Sequence, residues 1–578
     1  MGIQRFGLRM RDYASKTTLG TTGSSDCTDI AIIDGPGLAH YIYYGLCDSG
    51  STSVSYTSCV EATIAWLDRL RSYGFEIDSI FFDGALPAAK KDVRIDRLQN
   101  YIARLQAFKQ SSGTSLSSMT DSAKKSLPPP PFLVFAIVEE LARSAQYADA
   151  TYVVPGEADP YCVAAARAIP ADNDKVITIF SDDSDLIVYE SCKRTRVVPF
   201  RDLSETQIGP STILQGDEYR PAEIINRAKS SVSGLIKPAF FMSVDYHCTL
   251  EKAFCLSTSS EFVDRDDFKD FATQFATIEE VRQLAEMRSD SELKSVLVAR
   301  DSRVSELIHQ VQSQSRGESS GPFRFYLPFL SDDPTRTTAW AVGAEVRLLG
   351  YSILLQLQKD CNIQEYRRSG TRISAMLLEP LVDPSIDDAA IKLTSTISKV
   401  LEEMAQEHRM TREDAWRYLV LQSNLSHLHS EGLDLPSADD AVHILLNREP
   451  RKWSLVHLAA QYQAAYYSLR ILQQLLNAAI ATQAVSSSSS TLATLHQQLQ
   501  SLPRISAFLH DAAGSNRKQE QIMWREALPS LYSKFAGHDS VDSGDRKQTK
   551  SRKRAKKGHK KHPDDASLAH NPFAMLVD

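Results

Sequence analysis

The sequence lacks several features that would place it in common protein classes. Its eight cysteines are scattered and include no C-x-x-C pair, so neither a disulfide framework nor a zinc site is indicated. No apolar run is long enough to cross a bilayer, and the first residues contain no signal-peptide hydrophobic region. Phe6 stands where a myristoylation pattern has Ser or Thr. We therefore expect a soluble protein of a reducing compartment, with no membrane partner.

Acidic residues outnumber basic ones in the chain outside one segment. The formal net charge is -7, but residues 546–561 contain ten Lys or Arg and no acid, which leaves -17 for the rest of the chain. This run predicts a nuclear-import signal, with a nucleic-acid tether and a solubilising tail as the other interpretations. The residues of the signal are Arg552, Lys553, Arg554, Lys556 and Lys557. We expect nuclear residence, with the cytoplasm as the alternative.

Acidic residues, in contrast, follow four apolar runs that predict buried strands. The runs are D-I-A-I-I-D at 29–34, S-I-F-F-D-G at 79–84, T-Y-V-V-P at 151–155 and V-I-T-I-F at 176–180, and 196–200 predicts a further strand. The acids at their ends are Asp34, Asp83, Glu157, Asp159, Asp182, Asp183 and Asp185. Parallel strands joined by helices deliver such acids to one edge of a sheet. Carboxylates gathered there repel one another, which favours divalent cations with oxygen ligands.

Two local patterns refine this picture. Asp159 followed by Pro160 predicts a helix that begins there, with Asp159 as its cap. The spacing within 90–108 predicts a helix with a basic face. That face consists of Lys90, Arg94, Arg97 and Arg104 with Tyr101 between them. The simplest interpretation is that this face is only exposed to solvent. However, the helix begins only seven residues after Asp83, which favours contact with phosphates.

The remaining chain predicts helices and linkers without catalytic motifs. Residues 110–131 are Ser-rich and are expected to be mobile or disordered, and 312–322 predicts a polar linker. Asp333-Pro334 predicts the start of a helix through Trp340 and Leu349, and 455–480 predicts a long amphipathic helix. The pattern beyond residue 200 contains no phosphate loop and no nucleophile elbow.

Several motifs together resemble a known superfamily. M-G-I, I-D-G-P, F-F-D-G, G-E-A-D and S-D-D-S-D-L resemble the flap-endonuclease/XPG nucleases, which have a PIN-like fold. L-P-P-P-P-F-L-V, G-E-A-D-P-Y and D-D-P-T-R-x-x-A-W resemble the Asteroid family within it. The resemblance implies an α/β nuclease domain with a parallel sheet over 1–250, including an arch insertion at about 88–140. It further implies a mainly α-helical region over 251–535, and 536–578 is expected to be a disordered basic tail.

The resemblance also implies a set of site residues. Two Mg²⁺ or Mn²⁺ ions would be held by Asp34, Asp83, Glu157, Asp159, Asp183, Asp185 and Asp245. Lys90 and Arg97 would steer the scissile phosphate, and Asp183 is counted with them as catalytic. Nucleic-acid contacts would come from Gly2, Lys90, Arg94, Arg97, Tyr101 and Arg104. Two departures stand out: the family usually has Glu at position 159, and H-C-T-L-E-K-A-F-C-L after Asp245 lacks the family's glycines.

Two functions of different classes remain open at this stage. The leading one is a metal-dependent, structure-selective endonuclease that acts on single-stranded or flap nucleic acid, DNA rather than RNA. The alternative is a weak or inactive nuclease-derived scaffold that binds RNA or protein. An aspartate-nucleophile phosphatase is set aside because I-D-G-P-G is not the D-x-D-x-T that such enzymes need.

Overall fold

The structure is a computed structural model of the 578-residue chain. It describes residues 3, 6–20, 29–49, 54–87, 90–112, 116, 127–170, 174–190, 194–208, 211–229, 232–245, 247–259, 261–317, 321–356, 358, 361–481, 490–510 and 516–536. Within these ranges, every helix is too short or too polar to span a bilayer.

A parallel five-stranded sheet forms the centre of the first half. The strands of the first half are β1 (Ser15–Leu19), β2 (Asp29–Asp34), β3 (Phe75–Phe82), β4 (Thr151–Val153), β5 (Val176–Phe180), β6 (Thr195–Val198), β7 (Ser204–Ile208) and β8 (Ser211–Glu218). The central sheet has the order β4-β3-β2-β5-β6, and all its neighbouring strands run parallel. The predicted strands are confirmed, two of them to the residue.

Helices cover both faces of this sheet. Those of the first half are α1 (Phe6–Met10), α2 (Gly35–Asp48), α3 (Tyr56–Ser72), α4 (Lys91–Ser112), α5 (Leu133–Leu141), α6 (Ala158–Ala168), α7 (Pro221–Arg227) and α8 (Ile236–Val244). Along β2, Ala31 and Ile33 face one hydrophobic core and Ile32 faces the other. The strand is apolar throughout because both of its faces are buried. The predicted PIN-like α/β class is confirmed by this sheet.

The second half is mainly helical but contains strands that the sequence analysis missed. Its helices are α9 (Leu250–Leu256), α10 (Asp266–Thr273), α11 (Ile278–Ser289), α12 (Ser291–Val298), α13 (Ser302–Ser315), α14 (Ala344–Leu355), α15 (Ser385–Glu407), α16 (Arg412–Ser430), α17 (Ala438–Leu445), α18 (Trp453–Ala481), α19 (Ser490–Leu499), α20 (Ile505–Phe508) and α21 (Asn516–Ala536). Its strands are β9 (Phe323–Tyr326), β10 (Ile363–Ser369) and β11 (Arg372–Leu378), in the order β11-β10-β9.

The halves share a hydrophobic core. One core cluster runs from Leu19 to Leu531, and the ring of Phe132 stacks on that of Tyr467 with centroids 4.0 Å apart. The domain boundary predicted at residue 250 stays a prediction, and the hydrophobic core continues across that position.

Several local predictions are wrong in detail. The N-cap position before α6 is Glu157, and Asp159 lies inside the first turn. No helix starts at Asp333: its carboxylate accepts from the Thr335 backbone N–H at 2.9 Å, and α14 begins only at Ala344. The expected linker at 312–322 begins as the last turn of α13. Likewise α4 continues to Ser112, whereas most of the Ser-rich stretch lies outside the described residues.

A second missed feature is the small antiparallel sheet β1-β8-β7, which lies beyond residue 200 except for β1. Its strands are rich in polar residues, as in S-E-T-Q-I, so they lack the apolar run that marks the buried central strands.

Candidate active site

Six acidic residues converge at the carboxyl edge of the central sheet. We call them the acid cluster, and its members are Asp34, Asp83, Glu157, Asp159, Asp183 and Asp185. They interact electrostatically: Asp159 is influenced by Asp183, Asp34, Asp83 and Glu157. This is the edge where open α/β sheets bind ligands. The structure therefore brings together six of the seven acids predicted as metal ligands.

Asp34 occupies the last position of β2 and caps α2. Its carboxylate accepts a hydrogen bond from the Gly37 backbone N–H at 3.1 Å and another from the Ser181 hydroxyl at 2.7 Å. A Cβ at position 37 would lie 2.4 Å from Asp34 Oδ2, so the I-D-G-P-G turn needs glycine there. Burial raises the pKa of Asp34 to about 7, and repulsion from Asp83 and Asp183 contributes.

Asp83 and Glu157 come from the next two strand ends. Asp83 accepts from the Ala158 backbone N–H at 2.8 Å, and Glu157 pairs with Lys90 Nζ at 2.5 Å. Burial and repulsion from Glu157 raise the pKa of Asp83, while Lys90 and Arg97 oppose that rise. Both cations of the predicted phosphate-steering pair therefore lie near these carboxylates.

Asp159 is the least compensated member. Its carboxylate takes no hydrogen bond or ion pair from the described part of the chain. Burial raises its pKa well above the ordinary value, with four neighbouring carboxylates adding to the effect. The aspartate in place of the family's glutamate stands at this position.

Asp183 and Asp185 follow β5 in a single turn. The Asp183 carboxylate accepts from the Asp185 backbone N–H at 2.8 Å, and Asp185 accepts from the Ile3 backbone N–H at 3.1 Å. Burial raises the pKa of Asp185 to about 7, with repulsion from Asp183 as the next cause. The chain near its first residues therefore lies beside the cluster.

Two acids do not join the cluster. Asp182, expected to converge with its neighbours, instead accepts from the Arg201 backbone N–H at 3.1 Å, because the turn points adjacent side chains in different directions. Asp245, the seventh predicted ligand, follows α8. Its carboxylate, 47% exposed, pairs with Lys252 at 3.3 Å and accepts from the His247 backbone N–H at 2.9 Å.

The side chains of the acid cluster are of the right type to bind a divalent cation, but their present positions do not form a metal site. All of its donors are carboxylate oxygens, the ligands preferred by Mg²⁺ and Mn²⁺. However, no three His, Cys, Asp or Glu side chains in the described ranges lie close enough together to hold an ion. Several carboxylates face protein donors instead, as Asp34 faces Ser181 and Glu157 faces Lys90.

Helix α4 carries four of the six predicted nucleic-acid contacts, and Lys90 immediately precedes the helix. Three of these four have partners within the protein. Arg94 pairs with Glu306 at 2.7 Å, and Arg104 donates to the Leu127 carbonyl at 3.0 Å. The ring of Tyr101 packs on that of Phe329, with centroids 5.5 Å apart. These three side chains, which were predicted to contact a nucleic-acid strand, instead contact other parts of the protein in this structure. Arg97 is exposed.

The other predicted site residues lie outside the described part of the chain. These are Gly2 and the residues of the import signal, Arg552, Lys553, Arg554, Lys556 and Lys557.

Sequence reasoning missed Ser181. Its hydroxyl donates to Asp34 and accepts from the Asp183 backbone N–H at 3.0 Å, so it ties the acids of two strands together. The available signal was its place directly between β5 and the run of aspartates.

Comparisons with known proteins agree with these features. A family model described as XPG domain containing matches residues 129–379. Asteroid homolog 1 of Schizosaccharomyces pombe (strain 972 / ATCC 24843) is 24% identical over 392 residues, which are 65% of this chain and 66% of the relative. The chain thus spans just under two thirds of that relative's length.

The predicted resemblance to the Asteroid and XPG-like family is confirmed. A solved structure titled "The catalytic core of Rad2 (complex I)" is also similar, at 16% identity over 52% of this chain and 84% of that chain, with a TM-score of 0.24. That score is low, so the fold assignment rests on the strand order of this chain.

Proposed function

We propose that this protein is a divalent-metal-dependent endonuclease that hydrolyses phosphodiesters in single-stranded or flap nucleic acid, with DNA as the substrate. The observation that carries the proposal is the acid cluster: six carboxylates gathered at one sheet edge, with Lys90 as their only direct ion-pair partner in the described ranges. Such an arrangement destabilises a fold unless a ligand uses it.

The donor set suggests how ions would be held. The six carboxylates of the acid cluster would provide the oxygen ligands. Two bound Mg²⁺ or Mn²⁺ ions would supply water activation and stabilisation of the leaving oxygen. Asp245 would join these ligands only after its contacts with Lys252 and His247 are released.

The chain's own groups would orient the substrate. Lys90 and Arg97 provide positive charge beside the carboxylates, and a phosphate placed between them would be fixed relative to the cluster. Ser181 would keep Asp34 in place through its 2.7 Å hydrogen bond. Because the Lys90–Glu157 ion pair is available to exchange partners, a phosphate would compete with Glu157 for the ammonium group.

The preference for a single strand or flap follows from charge and from the segment after Asp245. Without the basic tail the chain carries -17, which repels a long duplex more than a short flexible strand. The segment H-C-T-L-E-K-A-F-C-L at 247–256, which includes α9, contains none of the glycines with which the family holds duplex DNA.

Adjacent aspartates offer a matched test. Asp183→Asn should reduce cleavage of a flap or single strand in Mg²⁺ or Mn²⁺ by about 10³-fold, because it removes a charge from the cluster. Asp182→Asn is the control: it makes the same chemical change one residue away, where the side chain faces Arg201. Cleavage rates of the purified variants provide the measurement. Equal rates for the two variants, or no cleavage by the wild type, would contradict the proposal.

We also propose that the basic run at 546–561 directs the protein to the nucleus, which places it near DNA. Ten cations without an acid suit an import receptor. A fluorescent fusion of the full chain should concentrate in the nucleus, and one truncated at residue 540 should not. Nuclear accumulation of the truncated fusion would rule out this role for the tail.

A further inference from the structure

Helix α4 is attached to the second half along its whole length. Near its start, Arg94 forms an ion pair with Glu306 of α13 at 2.7 Å, and both side chains are only 16% exposed. The Arg94 guanidinium also lies 4.4 Å from the centroid of the Tyr326 ring in β9. Removing one partner of such a shielded pair leaves the other charge buried and unpaired, which costs much more than breaking a solvated surface pair.

The middle of α4 contacts the β10–β11 hairpin. Gln99 Nε2 donates to the Thr371 carbonyl at 2.8 Å, and its Oε1 accepts from the Ile373 backbone N–H at 3.2 Å. Tyr101, two residues further along the helix, packs on Phe329. The helix therefore satisfies polar backbone groups of the hairpin as well as burying an aromatic ring.

The end of α4 is fixed by a third group of contacts. Lys109 forms an ion pair with Asp333, and Phe108 packs edge-on against Trp453 with centroids 6.0 Å apart. Trp453 Nε1 donates to the Ser112 hydroxyl at 3.1 Å. With attachments at its start, middle and end, the 22-residue helix is held as one rigid body.

These contacts occupy the face of α4 that would otherwise suit a nucleic-acid strand. Arg94 and Tyr101 belong to the basic, aromatic-containing face, yet their partners come from residues 306–329 of the same chain. Lys90 and Arg97 instead lie beside the acid cluster. The second half thus takes one side of the helix and leaves these two cations to the cluster.

We propose that the second half acts as a clamp on α4 that positions Lys90 and Arg97 over the acid cluster, with Glu306 as its central positioning residue. This assigns a role to the helical half, and its catalytic consequence rests on the proposed nuclease function. In this arrangement α4 is a fixed wall of the site, and a nucleic-acid strand that reaches the cluster along this wall passes Lys90 and Arg97.

The test is a substitution that removes one charge, together with a matched control. Glu306→Gln keeps the shape of the side chain but removes the charge that pairs with Arg94. Glu403→Gln removes an acid of nearly equal exposure, 17%, from its ion pair with Lys534, which does not involve α4. Amide hydrogen exchange of the full-length protein, measured by mass spectrometry, reports the opening of each helix separately.

For Glu306→Gln we expect peptides within 91–112 to exchange about tenfold faster, while peptides within 412–430 stay unchanged. Phe329→Ala should have a similar effect on 91–112, since it removes the ring that packs on Tyr101. Glu403→Gln should leave 91–112 unchanged. Unaltered exchange of 91–112 in both Glu306→Gln and Phe329→Ala would overturn the clamp, whether or not the protein is a nuclease.

Cleavage kinetics provide the second measurement. Glu306→Gln should slow cleavage about tenfold, and Lys90→Ala should then cost less in that variant than in the wild type, because a loosened α4 no longer positions the ammonium group. Fully additive losses would mean that Glu306 does not act through Lys90 and would overturn the positioning role. The exchange experiment needs no activity, so it separates failure of the clamp from failure of the nuclease proposal.

Discussion

The acid cluster and the buried ion pair between Arg347 and Glu365 differ in how far their buried negative charge is compensated by the protein. In the second half, Arg347 donates to both carboxylate oxygens of Glu365, at 2.8 and 2.9 Å, and Tyr351 donates at 3.1 Å. Burial is the largest single influence on Glu365 and by itself would raise its pKa, but the attraction and hydrogen bonds of Arg347 act together with Arg367 and Tyr351, so the pKa is lowered. In the cluster, burial and mutual repulsion raise the pKa of Asp34 to about 7.

The difference separates structure from function. Arg347 also donates to the Trp340 carbonyl at 2.8 Å and the Ser468 hydroxyl at 2.8 Å, so the pair joins β10, α14 and α18 and is satisfied within the protein. The cluster is only partly satisfied within the protein, since Asp159 has no hydrogen-bond or ion-pair partner in the described ranges. We infer that the Arg347–Glu365 pair stabilises the fold and that the acid cluster binds a ligand.

Breaking the satisfied pair should have the largest effect on stability. Glu365→Gln leaves the fully buried Arg347 without its counter-charge and should lower the free energy of unfolding by about 3–5 kcal/mol. Denaturant unfolding of the purified variant provides the measurement. The control is Glu76→Gln in the exposed Lys175–Glu76 pair, which should cost about 0–1 kcal/mol. Equal losses for the two variants would mean that the buried pair contributes no more than a surface pair.

Removing a charge from the unsatisfied cluster should have a smaller effect of the opposite sign. Asp159→Asn relieves repulsion in a buried site and should raise the free energy of unfolding by about 1–2 kcal/mol at pH 7.5 in the presence of a chelator. The same variant should lose cleavage activity. A clear loss of stability would show that the carboxylate is compensated by the fold, and the contrast with Glu365 would disappear.

The sequence was informative where one strand carries both the apolar run and the acid. Residues 29–34 and 176–180 are buried on both faces, so their continuous apolar character identified them, and Asp34 followed from the strand end. Local turns set the finer details. Asp182 and Asp183 are adjacent in sequence, and only the geometry of the turn after β5 directs one to Arg201 and the other to the cluster.

Long-range packing could not be predicted from the same patterns. Helical spacing placed Arg94 and Tyr101 on one face of α4, but it does not indicate whether a strand of nucleic acid or another part of the chain covers that face. The partners, Glu306 and Phe329, lie more than 200 residues away. The hairpin β10–β11 was missed because its first strand ends in the polar residues Y-R-R-S. The available signal was the glycine of its two-residue turn, Gly370, which has a φ of 59° in the structure.

We propose that the carboxylates of the acid cluster form a divalent-metal site, and anomalous diffraction from a Mn²⁺-soaked crystal tests this most directly. We expect two anomalous peaks at the carboxyl edge of the central sheet, one beside Asp34 and the other beside Asp185, and the loss of the second peak in Asp183→Asn. A soaked crystal with no peak at that edge, or with Mn²⁺ bound only elsewhere on the surface, would contradict it.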